Sequence, residues 1–139
     1  MKKKTSKDRR PVIIQVEDDE HVSYLISFIL ERNGYEAITV NDGYEFFKLL
    51  DNDEVPDLII LDVMLPYFDG FELVKFVRKE KGWTEVPIII LSSLRREDDI
   101  VHAFEAGASD YITKPFQPME LIARVEHLLA IKDERSKSG

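Results

Sequence analysis

Residues 56–70 read PDLIILDVMLPYFDG, and the fold can be worked out from them. Leu58, Ile59, Ile60 and Leu61 are four consecutive apolar residues, which fits a strand covered on both faces, as in a parallel sheet. Pro56 and Asp57 make the turn before it. Asp62 stands at its far end, where open α/β sheets bind ligands. Pro66 and the Asp69-Gly70 pair then break the chain and open a new element. An isolated Asp after a strand more often simply begins a loop, so the rest of the chain has to decide.

Strand and helix patterns alternate on both sides of this stretch. Upstream, Pro11 to Val16 reads as a short strand ending in four acids, Glu17, Asp18, Asp19 and Glu20. Val22, Leu25, Ile26, Ile29 and Leu30 then form one helical stripe, stopped by Gly34. Glu36 to Val40 is a second strand. Asp42 caps a second helix, with Glu45 as its capping-box partner. Downstream, Phe71, Val74 and Val77 mark a helix from about Gly70. Ile88 to Leu91 is a strand ending in Ser92 and Ser93, and a fourth helix runs from about Glu97 to Ala106. A short strand around Tyr111 to Thr113 ends at Lys114-Pro115. Pro118 begins the last helix, with Leu121, Ile122, Val125, Leu128 and Leu129 buried.

Five such units predict an α/β fold: a doubly wound, five-stranded parallel sheet of (βα)5 flavodoxin-like type, strand order 2-1-3-4-5. The expected organisation is a basic, disordered leader over 1–10, one domain over 11–131, and a polar, frayed tail over 132–139.

Composition sets the outer bounds. A chain of 139 residues with 44% apolar side chains can bury an ordinary core. The absence of cysteine excludes disulfide and thiolate chemistry. No apolar run approaches a membrane span, and no apolar segment follows the basic N-terminus as a secretory signal would. The net charge of −8 hides an asymmetry, because residues 1–10 hold six Lys or Arg and one acid. The remainder carries 13 basic against 26 acidic side chains. So acidic a domain is a poor general binder of nucleic acid or anionic membrane.

The strand ends decide the question about Asp62. Strands one, three, four and five end in Glu17-Asp18, Asp62, Ser92 and Lys114, and a parallel sheet gathers all four ends at one edge. Each has an ordinary reading alone: the acids as partners of a helix N-terminus, Ser92 as a helix cap, Lys114 as a surface lysine. Together they make a site. Three clustered carboxylates repel unless a cation joins them. Oxygen donors without His or Cys point to Mg²⁺. A carboxylate beside such an ion can act as a nucleophile toward phosphorus. Lys114 supplies charge and Ser92 a donor to the transferred group.

With these residues assembled, the sequence resembles the receiver domains of bacterial two-component response regulators. The resemblance covers residues 11 to about 131 and rests on VEDDE, LDVMLPYFDG, IIILSS and AGASDYITKPF, in that order. It implies Asp62 as phosphoacceptor, with Glu17, Asp18, Asp62 and the main-chain carbonyl of Met64 holding Mg²⁺. It implies Ser92 as the hydroxyl on the phosphoryl group, Lys114 as its cationic partner, and a cis Lys114-Pro115 bond. Tyr111 is the implied aromatic switch that turns inward when Ser92 moves. The implied partners are a histidine kinase or phosphotransfer protein in the cytoplasm and an output domain or protein. A homodimer through the fourth helix, fifth strand and fifth helix is a further implication.

Some positions depart from the commonest pattern. The acidic pair is Glu-Asp rather than Asp-Asp. Tyr67 fills a loop position often held by glycine. Met64 stands where many members have a side chain that orients an attacking water, so the phosphoryl group is expected to persist. Asp110 and Arg124 occupy positions that pair between subunits in dimerising members, but an ordinary surface pair is the expectation here. His21, His102 and His127 are expected in surface or packing roles, and Trp83 in packing before strand four. The rival readings are a constitutive interaction module of the same fold and a small hydrolase. The second is disfavoured because Met64 fills the second place of the Asp-x-Asp arrangement, and no P-loop is present.

Overall fold

The computed structural model describes residues 9–52 and 54–138. Residues 1–8 of the basic leader lie outside them. Five strands and five helices alternate: β1 (Val12–Val16), α1 (Glu20–Arg32), β2 (Glu36–Val40), α2 (Gly43–Leu50), β3 (Leu58–Leu61), α3 (Gly70–Lys79), β4 (Ile88–Ser92), α4 (Glu97–Ala106), β5 (Asp110–Thr113) and α5 (Pro118–Ser138). All strand pairs are parallel, and the sheet order is β2-β1-β3-β4-β5, as the alternation predicts.

The apolar run of β3 is buried along its whole length, and its side chains divide between two cores. Ile59 and Leu61 join Ile14, Val16, Ile88 and Ile90 on one face, against Phe46, Leu50, Val74 and Val77 of α2 and α3. Leu58 and Ile60 join Ile13, Ile89, Leu91 and Ile112 on the other, against Ile26, Leu30, Leu121 and Val125 of α1 and α5. This is the period-two alternation of a sheet covered on both sides. Each fully buried Leu or Ile side chain contributes about 1.5–3 kcal/mol.

The helix ends follow the sequence signals. Asp19 caps α1, accepting from the N–H groups of His21 at 2.9 Å and Val22 at 3.2 Å. Asp42 accepts from Glu45 N–H at 2.9 Å, and the Glu45 carboxylate reaches back to Asn41 N–H at 2.8 Å. Asp69 caps α3. Gly34 takes φ +91° after α1, a left-handed conformation that favours glycine.

Several boundaries differ from expectation. β5 begins at Asp110, one residue early. The polar segment from Lys132, expected to fray, continues α5 to Ser138. Lys132 Nζ reaches Asp57 Oδ1 at 3.4 Å and Arg135 reaches Glu85 at 3.7 Å, so the extension is tied to the domain. Arg10, assigned to the leader, donates to Glu31 Oε2 at 2.9 Å and to Tyr35 O at 2.7 Å, which fastens it to α1 and to the turn before β2. Among the described residues no helix is long and apolar enough to cross a membrane.

Candidate functional site

The parallel register carries β1, β3, β4 and β5 to one edge of the sheet, and the side chains beyond their ends meet there. Asp62 is 6% exposed and Glu17 3% exposed, both just past a strand end, while Asp18 is exposed. Ligand oxygens of Glu17, Asp18 and Asp62 lie within 4.8 Å of one another. The acidic run after β1 is therefore divided by role. Glu17 and Asp18 face the cluster, while Asp19 caps the helix behind it.

Each Asp62 oxygen has its own donor. Met64 N–H donates to Oδ1 at 2.9 Å, and the Lys114 ammonium donates to Oδ2 at 2.7 Å. Lys114 also donates to Glu17 Oε1, and Asp19 N–H donates to Glu17 Oε2 at 3.1 Å. Burial pushes the Glu17 carboxyl above its usual range, although its bond from Lys114 works the other way. Burial alone would lower Lys114, but its hydrogen bonds to Asp62 and Glu17 outweigh it, and the ammonium titrates above its usual value. Lys114 is thus a fixed positive charge between two buried carboxylates. The Lys114-Pro115 peptide is cis.

Ser92, fully buried, is the last residue of β4, so it does not cap α4. Its hydroxyl accepts Leu94 N–H at 3.3 Å. Tyr111, on neighbouring β5, donates its hydroxyl to Leu94 O at 2.7 Å. Burial raises the Tyr111 hydroxyl pKa, and its interaction with Ser92 partly opposes this. Met64 is 55% exposed, and its sulfur faces the Ser93 hydroxyl at 3.9 Å. Tyr67 takes φ +69°, the left-handed backbone suited to the glycine often found at this position.

The other singled-out residues fall away from the cluster. The His102 ring stacks on Phe71 at 4.1 Å, which is a packing role. Arg124 pairs with Asp110 within the chain at 2.9 Å. Trp83 packs against the core beside β4, under the Lys81 ammonium at 5.3 Å.

Two residues that the sequence reading passed over also shape this end of the molecule. Gly70, read only as a helix start, packs so closely that a β-carbon there would lie 2.3 Å from Val63 Cα and 2.7 Å from Asp62 O. Arg78 donates to the carbonyls of Gly107 at 3.0 Å and of Trp83 and Val86 at 2.6 Å. It therefore joins α3, the lead into β4 and the end of α4. The close pairing in Asp69-Gly70 was a usable signal for the first, but nothing in the local sequence announces the second.

The sequence matches the family described as response regulator receiver domain over residues 13–126. The chain belongs to that family. Among similar proteins, the alkaline phosphatase synthesis transcriptional regulatory protein PhoP of Bacillus subtilis is 45% identical, over 84% of this chain and 48% of the relative. The phosphate regulon transcriptional regulatory protein PhoB of Escherichia coli is 38% identical, over 84% of this chain and 51% of the relative. The receiver domain thus spans about half the length of these curated relatives. A solved CheY-like response regulator receiver domain from Methanospirillum hungatei superposes with a TM-score of 0.85 at 26% identity, covering 91% of this chain and 99% of that one.

The donor set of this receiver domain suits a small hard cation. Three carboxylates meet with no His or Cys ligand among them, and among the described residues Lys114 supplies the counter-charge to Glu17 and Asp62. Mg²⁺ takes oxygen ligands of this kind and keeps several waters.

Proposed function

We propose that this domain is a phosphorylation-dependent signalling switch with Asp62 as phosphoacceptor. The observation that supports it most is the Asp62 carboxylate itself: buried, held by a single donor on each oxygen, and set against Glu17, Asp18 and Lys114. An Asp62 oxygen forms the bond to phosphorus as the P–N bond of a phosphohistidine on a partner kinase or phosphotransfer protein breaks. The imidazole leaves with the electron pair. With a small acyl phosphate the P–O bond breaks instead.

Glu17, Asp18, Asp62 and the main-chain carbonyl of Met64 would hold Mg²⁺, which when bound supplies positive charge to the phosphoryl oxygens. Lys114 stays protonated throughout and turns from the free carboxylate to the transferred group. Ser92 donates its hydroxyl to a phosphoryl oxygen. Positioning and charge complementarity carry the acceleration, so the domain is a phosphoacceptor and not an enzyme with a separate substrate.

Ser92 and Tyr111 share Leu94, so a shift of the serine is passed to the tyrosine and to the face formed by α4, β5 and α5. That face would control an output domain or protein, with a homodimer as one means. The domain would work in the cytoplasm, where the phosphodonor kinase has its phosphorylated histidine, without touching membrane or nucleic acid itself. Met64 gives the attacking water no polar side-chain group, so the aspartyl phosphate would persist.

The test is chemical. Protein labelled by acetyl phosphate is treated with hydroxylamine and then digested. An acyl phosphate releases phosphate and leaves a hydroxamate in the peptide containing Asp62. A label that resists hydroxylamine, or a hydroxamate elsewhere, would remove Asp62 from this role and leave an interaction module.

A further inference from the structure

The sulfur of Met64 lies at the solvent edge of the Asp62 site. Met64 N–H donates to Asp62 Oδ1 at 2.9 Å, and its backbone pairs with Asp69 in an antiparallel bridge that closes the loop after β3. The side chain is 55% exposed, and the Ser93 hydroxyl faces its sulfur at 3.9 Å. Ser93 follows Ser92 at the end of β4, the strand beside β3. The Met64 side chain therefore reaches across two strand ends, from just after Asp62 to just after Ser92, with solvent on its outer side.

The chain contains no cysteine and three methionines. A peroxide meets no thiol here, so its sulfur target is a thioether. Met119, at the start of α5, is 86% exposed and stands with Leu25, Phe28 and Ile122 in a groove between α1 and α5. Of the two described methionines, Met64 belongs to the site and Met119 does not. In the oxidation a sulfur lone pair attacks one oxygen of hydrogen peroxide as the O–O bond breaks. The sulfur loses two electrons and the peroxide gains them. The second oxygen leaves as hydroxide and takes the proton of the first, which gives water and a sulfoxide. The thioether is a weak acceptor, and the sulfoxide is a polar group with a strong one.

We propose that Met64 is an oxidation site whose sulfoxide shortens the life of the aspartyl phosphate. This rests on Asp62 being the phosphoacceptor and on the Met64 thioether leaving the attacking water unheld. The sulfoxide oxygen accepts a hydrogen bond from that water, and the Ser93 hydroxyl donates to the same oxygen and steadies it. Water forms its bond to phosphorus as the P–O bond to Asp62 breaks. The carboxylate leaves with the electron pair, and the water proton passes to the released phosphate. A methionine sulfoxide reductase with a thiol reverses the change.

Wild type, Met64→Leu, Met64→Asn and Met119→Leu are each treated with dilute hydrogen peroxide, freed of it with catalase, and labelled by acetyl phosphate with Mg²⁺. Untreated samples run beside them. Peptide mass locates the added oxygen, and intact mass follows decay once the donor is removed. Oxidised wild type is expected to lose its phosphoryl group about five-fold faster than untreated wild type, the effect of one added hydrogen bond. Met119→Leu should respond to peroxide as wild type does, and Met64→Leu should not respond. Sulfoxide reductases for both epimers should restore slow decay. No oxygen on Met64, or unchanged or slower decay in protein oxidised there, would overturn the proposal. Equal acceleration of Met64→Leu would overturn it too, by assigning the effect to another oxidised group. Fast decay of untreated Met64→Asn without acceleration by the sulfoxide overturns this proposal and keeps the reading of the unheld water. Acceleration by neither overturns both. A wild type that takes no label overturns the phosphoacceptor reading, and this proposal with it.

Discussion

The Lys114 ammonium sits 2.7 Å from Asp62 Oδ2 and bridges it to Glu17. One cation therefore serves two buried carboxylates that come from β1 and β3. Lys114→Met removes it and leaves the carboxylates facing each other. The expected loss in metal-free protein is about 1–3 kcal/mol, the cost of stranding buried polar groups, with acetyl phosphate labelling nearly abolished. Urea unfolding with and without Mg²⁺ checks this. The ion should recover more stability in the variant than in wild type, because it replaces the missing charge.

Met64 projects from the loop beside Asp62 with 55% of its surface exposed and no polar group except the sulfur. Met64→Asn adds an amide that can hold an attacking water. The aspartyl phosphate should decay about ten-fold faster, which corresponds to about 1.4 kcal/mol off the barrier. Decay is followed by intact mass after the phosphodonor is removed. Rapid decay in wild type, unchanged in the variant, would refute the role given to Met64.

Gly70 is required by contact. A methyl group there meets Val63 Cα at 2.3 Å and Asp62 O at 2.7 Å, and both are backbone atoms that cannot rotate away. Gly70→Ala is expected to cost about 1–3 kcal/mol, as overpacking does. It should also slow labelling, since the displaced backbone carries Asp62. Denaturant midpoints and labelling rates measured together would show both effects.

Glu31 gives a pH signature away from the site. Its carboxylate accepts Ala37 N–H at 3.0 Å and an Arg10 N–H at 2.9 Å. The backbone bond comes first and the arginine second in lowering its pKa below 4.5. An acid with a depressed folded pKa adds stability that is present above its unfolded value and is lost as pH falls through the folded one. Wild type should therefore exceed Glu31→Gln in thermal midpoint at pH 7. The two should converge as pH drops below 4.5. The gap is small because the carboxylate is largely exposed.

Much of this structure was legible because the signals are local and periodic. Leu58 to Leu61 announced a central strand, and Asp42 announced the start of α2, whereas the capping roles of Asp19 and Asp69 emerge only in the structure. Once the alternation specified a parallel sheet, the strand ends brought Glu17, Asp18, Asp62, Ser92 and Lys114 together. The remainder depends on contacts distant in sequence. The tail after Ile131 has no apolar stripe, so periodicity could not see a helix that Asp57 and Glu85 help to tether. Arg78 looked like any basic residue near a helix end until Gly107, Trp83 and Val86 supplied carbonyls around it. Arg95 likewise acquires its partner, the Lys114 carbonyl, only when β4 and β5 lie side by side.

The most direct test is intact mass after incubation with acetyl phosphate and Mg²⁺, run on wild type, on Asp62→Asn and on wild type with EDTA. The phosphoacceptor account predicts one added phosphoryl group in wild type with Mg²⁺ and none in the other two samples. Equal labelling of Asp62→Asn, or no label on wild type from either acetyl phosphate or a phosphorylated histidine kinase, would contradict it.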